Sequence, residues 1–369
     1  MSYGHENGRL SYCRTPRGVG SDIAGATHEY FSKSFAEKDC DRMKTRTLGK
    51  TGRQVSAVGL GTWQLGSDWG QVQAGQARDV LEAAVDAGIT FFDTADVYGD
   101  GRSEQLIGAF LASHPGLDIT VGTKMGRRAE QVPENYTLAN FRQWLERSRR
   151  NLKVDILDLV QLHCPPAPVY TDDAVYDSLD ALVDEGTIRH YGVSVETADQ
   201  ALTAMQRDNV ATVQIIFNPF RLKPLEDVLL AAKRAGIGII ARVPLASGLL
   251  TGKYSKETTF PADDHRNYNR DGSHFDVGET FSGVDFEQGL SAVRDFEEVV
   301  PRGVTTAQAA LAWITQQDGV STVIPGARNV EQVFSNAAAG SVEELGEEFT
   351  SNVWRIYDKY FRESVHAQW

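Results

Sequence analysis

The chain has 369 residues, of which 41% are hydrophobic and 24% charged, which excludes a wholly disordered chain and a small disulfide scaffold. Lys and Arg number 37 against 50 Asp and Glu, and the net charge of −13 argues against nucleic acid or an anionic membrane surface as partner. No run approaches the roughly 18 apolar residues a membrane span needs. The three cysteines, Cys13, Cys40 and Cys164, show no metal-ligand spacing, so no metal site is expected and a reducing, cytoplasmic location is.

Residues 1–42 are rich in Gly, Ser and Arg, have no sustained apolar period, and carry six basic and six acidic side chains. They lack a secretory apolar core, and their acidic residues speak against a transit peptide. A disordered extension is expected there, with one domain over residues 43–369. Met43 looks like a natural start.

A hairpin is expected first, Thr45–Leu48 and Gln54–Ser56 around the turn Gly49–Gly52. Eight short apolar runs follow: Ala57–Leu60, Ile89–Phe92, Ile119–Gly122, Ile156–Leu162, His190–Val193, Thr212–Phe217, Ile237–Ala241 and Thr322–Ile324. Segments of helical period separate them: Ala77–Ala87, Glu104–Ala112, Leu138–Leu152, Ala174–Glu185, Ala198–Arg207, Leu225–Ala235 and Thr306–Thr315. Continuous apolar runs mark strands covered on both faces. Gly88, Gly186 and Gly236 stand where left-handed helix caps belong. The pattern predicts an α/β fold, a (β/α)8 TIM barrel with an N-terminal hairpin cap; the rival is an open doubly wound sheet. Ser247–Gly283 is long and polar and reads as a binding loop or lid. Val342–Arg362 reads as a C-terminal helix packed on the outside.

Active sites of such barrels lie at the C-terminal ends of the strands. Asp93, Lys124 and His163 end or follow three successive runs, with Tyr98 close behind Asp93. This set suits proton delivery to a carbonyl. A free tyrosine is a poor acid, with a pKa of about 10. A nearby Lys124 ammonium is expected to lower it. Asp93 can hold Lys124, and His163 can donate to the substrate oxygen and orient it.

These residues resemble the aldo-keto reductase family, from about Met43 to Asn336. The resemblance rests on Leu60-Gly61-Thr62-Trp63, Phe92-Asp93-Thr94-Ala95-Asp96-Val97-Tyr98-Gly99, Thr123-Lys124, Gln161-Leu162-His163, Gly192-Val193-Ser194 and Ile324-Pro325-Gly326-Ala327-Arg328. It implies a (β/α)8 barrel binding extended NADPH without a Rossmann domain. It implies Tyr98 as general acid with Asp93, Lys124 and His163 as partners. It also implies a cofactor path over Gly61, Thr62, Asp93, Ser194, Gln214 and Arg242. Pro244, Leu245, Ser247, Gly248, Leu250 and Lys253 would cover the pyrophosphate. Gly326, Arg328, Gln332 and Asn336 would hold the adenosine end. Arg328 suits a 2′-phosphate, so NADPH (NADP+) is expected and NADH is the lesser candidate. Trp63, Tyr98 and His163 would wall the substrate; Trp69 could share that role.

Two positions depart from the family's usual pattern. Val195 stands where many members have Asn, and Arg242 where many have an aromatic residue. The Arg242 charge is expected to weaken binding of NADP+ relative to NADPH. Cys164 reads as a small structural residue rather than a redox group. The expected function is NADPH-dependent reduction of an aldehyde or ketone to an alcohol. The alternatives are a nucleotide-occupied regulatory or redox-sensor subunit and, more remotely, an unrelated barrel lyase or isomerase. The expected partner is a small-molecule carbonyl substrate. Monomer and homo-oligomer stay open, as does the carbonyl. Specificity is expected to lie in Gly66–Gln76, Cys164–Asp172 and Ser247–Gly283.

Overall fold

The computed structural model describes residues 43–66 and 74–369. The expectations for residues 1–42 and for Trp69 lie outside the described residues. The hairpin forms as expected, from β1 (Thr45–Thr47) and β2 (Gln54–Ser56), with a single helical turn at Gly49–Thr51.

Eight parallel strands follow: β3 (Leu60–Gly61), β4 (Phe91–Asp93), β5 (Thr120–Met125), β6 (Leu157–His163), β7 (Ile188–Ser194), β8 (Val210–Ile216), β9 (Gly238–Arg242) and β10 (Val320–Val323). Each pairs with its neighbour in chain order from β3 to β10. Parallel bridges at Val58–Val323 and Gly61–Gly326 join the two edges. The Gly59 amide donates to the Val323 carbonyl at 2.8 Å, and the Gly61 amide to Pro325 at 3.0 Å. The fold is therefore the (β/α)8 barrel rather than an open sheet.

Helices cover the outer face. Gly88, Gly186 and Gly236 take the expected left-handed conformation, with φ of 79°, 70° and 67°. The expected helix Leu225–Ala235 is two pieces, Lys223–Asp227 and Leu229–Ala235, the first opened by Pro224. Two longer helices lie outside the expected segments, Phe286–Glu297 and Val330–Ala338. Each starts at a cap visible in the sequence: Asp285 accepts from the Gln288 amide at 2.9 Å and Asn329 from Gln332 at 2.9 Å. The C-terminal helix runs over Gly346–Tyr360, with its apolar stripe Phe349, Val353, Ile356 and Tyr357 buried.

The hairpin stoppers the end of the barrel away from the site. Leu48 and Val55 are fully buried in one cluster with Phe91, Leu159, Ile240 and Ile324. Polar ties fix it there: Arg46 Nη1 donates to the Val320 carbonyl at 2.7 Å, and Ser321 Oγ to Thr47 at 3.0 Å. The other end of the barrel is thus left to the loops. Among the described residues, no helix is long and apolar enough to cross a membrane.

Candidate active site

Asp93 and His163 end β4 and β6, and Lys124 sits near the end of β5 between them. Lys124 is 1% exposed. A buried ammonium is tolerated only when its three donors find acceptors. Lys124 Nζ donates to Asp93 Oδ1 at 2.6 Å, to the Thr94 carbonyl at 2.8 Å and to the Tyr98 hydroxyl at 3.2 Å. The second Asp93 oxygen accepts from Gln214 Nε2 at 2.7 Å.

The turn after β4 places Tyr98. Thr62 Oγ1 donates to the Asp93 carbonyl at 2.7 Å, and the Tyr98 amide to Ala95 at 3.1 Å. Gly66 and Gly99 let this turn lie against the short helix Trp63–Gly66. A Cβ on Gly99 would fall 1.9 Å from the Gly66 carbonyl oxygen, and one on Gly66 2.5 Å from that of Tyr98. The Tyr98 ring lies edge-on to His163, with centroids 6.0 Å apart, and 6.5 Å from Trp63.

Electrostatics separates the roles these groups can play. Burial would lower Lys124, but the Asp93 carboxylate and the Tyr98 oxygen outweigh it, so its pKa is raised and it stays a cation. Burial, joined by the positive charges of Arg127, Lys124 and Arg242, holds His163 well below its usual value, so it is a neutral imidazole. For Tyr98 the sequence expectation is corrected. Lys124 does pull its pKa down, but burial pushes harder the other way, and the phenol lies above its ordinary value. Tyr98 is a protonated hydroxyl at neutral pH.

A cleft of about 750 Å³ opens over this set and runs on to the loop after β10. Tyr98, His163, Asp93, Trp63, Gly61 and Thr62 line one stretch, with Ser194, Gln214 and Arg242 beside them. Pro244, Leu245, Ser247, Gly248 and Lys253 line the next, and Gly326, Arg328, Gln332 and Asn336 the far end. Leu250 is the exception: it is fully buried away from the cleft, with its amide donating to Leu245. Lys124 lies beneath the surface rather than in it.

The cleft fits a long dinucleotide in three respects. Gly61 and Gly326 leave its floor flat; a Cβ on Gly326 would meet the Gln64 side chain at 2.2 Å. Positive φ at Ala246, Ser247 and Gly248 curls the backbone in the manner of anion-binding loops. Arg328 is exposed on the wall, and its guanidinium ion-pairs with no carboxylate among the described residues.

Arg242 departs from expectation. Its guanidinium does not stand free to act on a cofactor ring. It donates to Glu196 Oε2 at 2.7 Å and to the Val195 carbonyl at 3.0 Å, and it lies 3.4 Å from Glu279 Oε1. Two carboxylates match its charge, which removes the basis for weakened NADP+ binding. Val195 is buried and its carbonyl is one of the acceptors of Arg242, so the two departures meet in one contact. Cys164 lies beside this group. Burial first, and then Glu196, push its thiol up to about 12, so it is a neutral thiol without the thiolate character of a redox centre.

The sequence did not single out Arg127, Arg266, Phe275 or Glu279, which also line the cleft. Arg127 follows Lys124 by three residues, and the others come from the long segment 247–283. That segment folds into short turns, including His265–Tyr268 and Val277–Glu279, and supplies much of one wall. His265 packs edge-on against Trp63 at 4.9 Å.

Comparison with known proteins gives a consistent picture. The model of the Aldo/keto reductase family matches residues 57–358. The aldo-keto reductase YhdN of Bacillus subtilis is 31% identical over 297 residues, covering 79% of this chain and 87% of its own. A probable voltage-gated potassium channel subunit beta of Oryza sativa is 31% identical over 317 residues, covering 82% and 93%. An aldo/keto reductase from Klebsiella pneumoniae, solved with NADP and acetate, superposes with a TM-score of 0.63 at 26% identity, covering 85% and 95%.

One buried acid beside the site has a measurable consequence. Asp96 is fully buried, and neither carboxyl oxygen has a hydrogen-bond partner. Burial, and then Glu104, push its pKa up to about 7. A folded-state value raised above the unfolded one means that stability falls as pH rises from about 4 to about 7. Three pKa units correspond to about 4 kcal/mol at most. Relative to wild type, Asp96→Asn is therefore expected to gain stability in urea unfolding as pH rises across that window. A difference that does not change with pH would contradict this.

Proposed function

The chain belongs to the aldo/keto reductase family and is an NAD(P)H-dependent oxidoreductase, and from that premise we infer that it reduces an aldehyde or ketone to an alcohol with Tyr98 as proton donor. The observation that supports this most directly is the Lys124 ammonium, held by Asp93 and 3.2 Å from the Tyr98 hydroxyl. The bound nicotinamide supplies hydride to the carbonyl carbon. His163, as a neutral imidazole, donates a hydrogen bond to the carbonyl oxygen and orients it. Tyr98 gives its proton to that oxygen as negative charge develops there. Lys124 stabilises the phenolate left behind, and Asp93 keeps Lys124 in place. Ser194 and Gln214 bind the carboxamide of the nicotinamide and fix the face it presents. The curled backbone at Ala246–Gly248, with Lys253, takes the pyrophosphate. Gly326, Gln332 and Asn336 take the adenosine end, and Arg328 the 2′-phosphate, which makes NADPH the preferred form.

A second reading, a nucleotide-occupied regulatory subunit with little turnover, is supported by the likeness to the Oryza sativa channel subunit. Turnover separates the two. With NADPH and an aromatic aldehyde, wild type is expected to turn over, and Tyr98→Phe to lose about 100- to 10,000-fold in kcat. Tight NADPH binding without turnover in wild type would favour the second reading; turnover in Tyr98→Phe within about threefold of wild type would remove the acid role. Arg328→Ala is expected to raise KM for NADPH about tenfold or more and to leave that for NADH within about twofold, because one charge-assisted contact is lost. An equal effect on both cofactors would contradict the 2′-phosphate assignment.

A further inference from the structure

Beyond Tyr98 and His163 the cleft ends in a wall that is both aromatic and charged. Trp63, Val97 and Phe275 give it apolar surface, and Arg127 and Glu279 give it charge. The charges are all paired. Arg127 Nη2 lies 3.2 Å from Glu196 Oε1 and 3.5 Å from Glu279 Oε1. Arg242 completes a ring through the same two carboxylates, at 2.7 Å and 3.4 Å. Two guanidinium groups thus meet two carboxylates in the ring. Arg266 stands apart from this ring: it is clamped by Asp264, with Nε 2.8 Å from Oδ1, and donates at 2.5 Å to the Tyr254 hydroxyl, which in turn donates to the Ser247 carbonyl.

Only one carboxylate of the ring reaches the cleft. Glu279 lines it, and Glu196 does not. Glu279 is also held firmly. Its carbonyl accepts from Ser247 Oγ at 3.0 Å. Three residues back, Asp276 accepts from the Trp369 indole at 3.1 Å, and the Arg221 guanidinium lies 3.8 Å over the Trp369 ring. An anionic substrate group entering here meets arginines whose charge is already matched, and a fixed carboxylate beside them. Like charges at short range in a partly dry site repel strongly. A hydroxyl or ether group meets no such penalty, since it can accept from Arg127 or donate to Glu279 without displacing either.

We propose that Glu279 is a specificity-determining residue that neutralises the arginine pair at the substrate end, so that the site takes uncharged carbonyl compounds with a flat apolar flank and rejects carboxylated or phosphorylated ones. This rests on the reductase reading above, which places the reacting carbonyl beside Tyr98 and His163.

The test uses two substrates of nearly equal shape, 4-formylbenzoate and its methyl ester. In wild type, kcat/KM with NADPH is expected to favour the ester by about tenfold or more. Glu279→Gln is expected to shift that ratio about tenfold toward the free acid, and Glu279→Asp to keep the wild-type preference. A wild type that reduces the acid as well as the ester overturns the proposal, as does a Glu279→Gln ratio within about twofold of wild type. Binding provides a readout independent of turnover. Followed by tryptophan fluorescence, benzoate is expected to bind Glu279→Gln about tenfold more tightly than wild type, with benzamide little changed. If no aldehyde is reduced by any of the proteins, the reductase reading is what has failed. The absence of a benzoate gain in Glu279→Gln overturns the charge proposal in either case.

Discussion

A cation buried at 1% exposure is the constraint on which the rest of this site depends. Taking an ammonium out of water costs several kcal/mol, and only close, complete pairing offsets that. Lys124 achieves it with one carboxylate, one carbonyl and one phenol, drawn from the end of β4 and the turn behind it. The pair requires β4 and β5 to be adjacent and in register, and the Gln214 contact to Asp93 reaches it from β8. Losing either Asp93 or Lys124 would leave an uncompensated charge, a loss of about 3–5 kcal/mol in comparable pairs. The same burial sets the protonation of its neighbours. Tyr98 keeps its proton and His163 stays neutral, so one group can give a proton and the other can only orient. At Tyr98, burial outweighs the pull of the nearby cation and raises the phenol above its ordinary value.

A second set of charges lies at the rim and does a different kind of work. Arg127, Arg242, Glu196 and Glu279 link the loop after β5, the ends of β7 and β9, and the long segment 247–283. The ring fastens that segment to the barrel. It also accounts for two unusual residues together. The Val195 carbonyl accepts from Arg242 at 3.0 Å, so the two positions meet in one contact. A residue that looks in sequence like an isolated charge against a cofactor is in the structure one member of a balanced group.

Much of this was legible in the sequence because it is local. Eight apolar runs and their separating helical periods gave the barrel, and strand ends gave Asp93, Lys124 and His163. Boundaries moved by a few residues where pairing rather than hydrophobicity decides them. Ala57 and Val58 are apolar and buried, yet the regular part of β3 is Leu60–Gly61, since Val58 serves as a closing bridge to Val323. The helices Phe286–Glu297 and Val330–Ala338 are announced in the sequence by their caps at Asp285 and Asn329 rather than by apolar period. Other features were not legible at all. The pairing of Glu279 with Arg127 spans 152 residues, and the contact of Trp369 with Asp276 spans 93. No local pattern encodes such contacts. Leu250 shows the converse, since an apolar residue inside a matching motif turns into the core rather than the cleft.

The most direct test of the central claim is the titration of Tyr98 itself. Carbon-13 labelling of the tyrosine ring carbons, with Tyr98→Phe to assign the signal, reports its pKa in wild type and in Lys124→Met, with circular dichroism to verify the fold. The account predicts that Tyr98 titrates above free tyrosine in wild type, and higher still once Lys124 is gone. A Tyr98 that titrates below free tyrosine in wild type, or whose pKa does not rise on loss of Lys124, would contradict it.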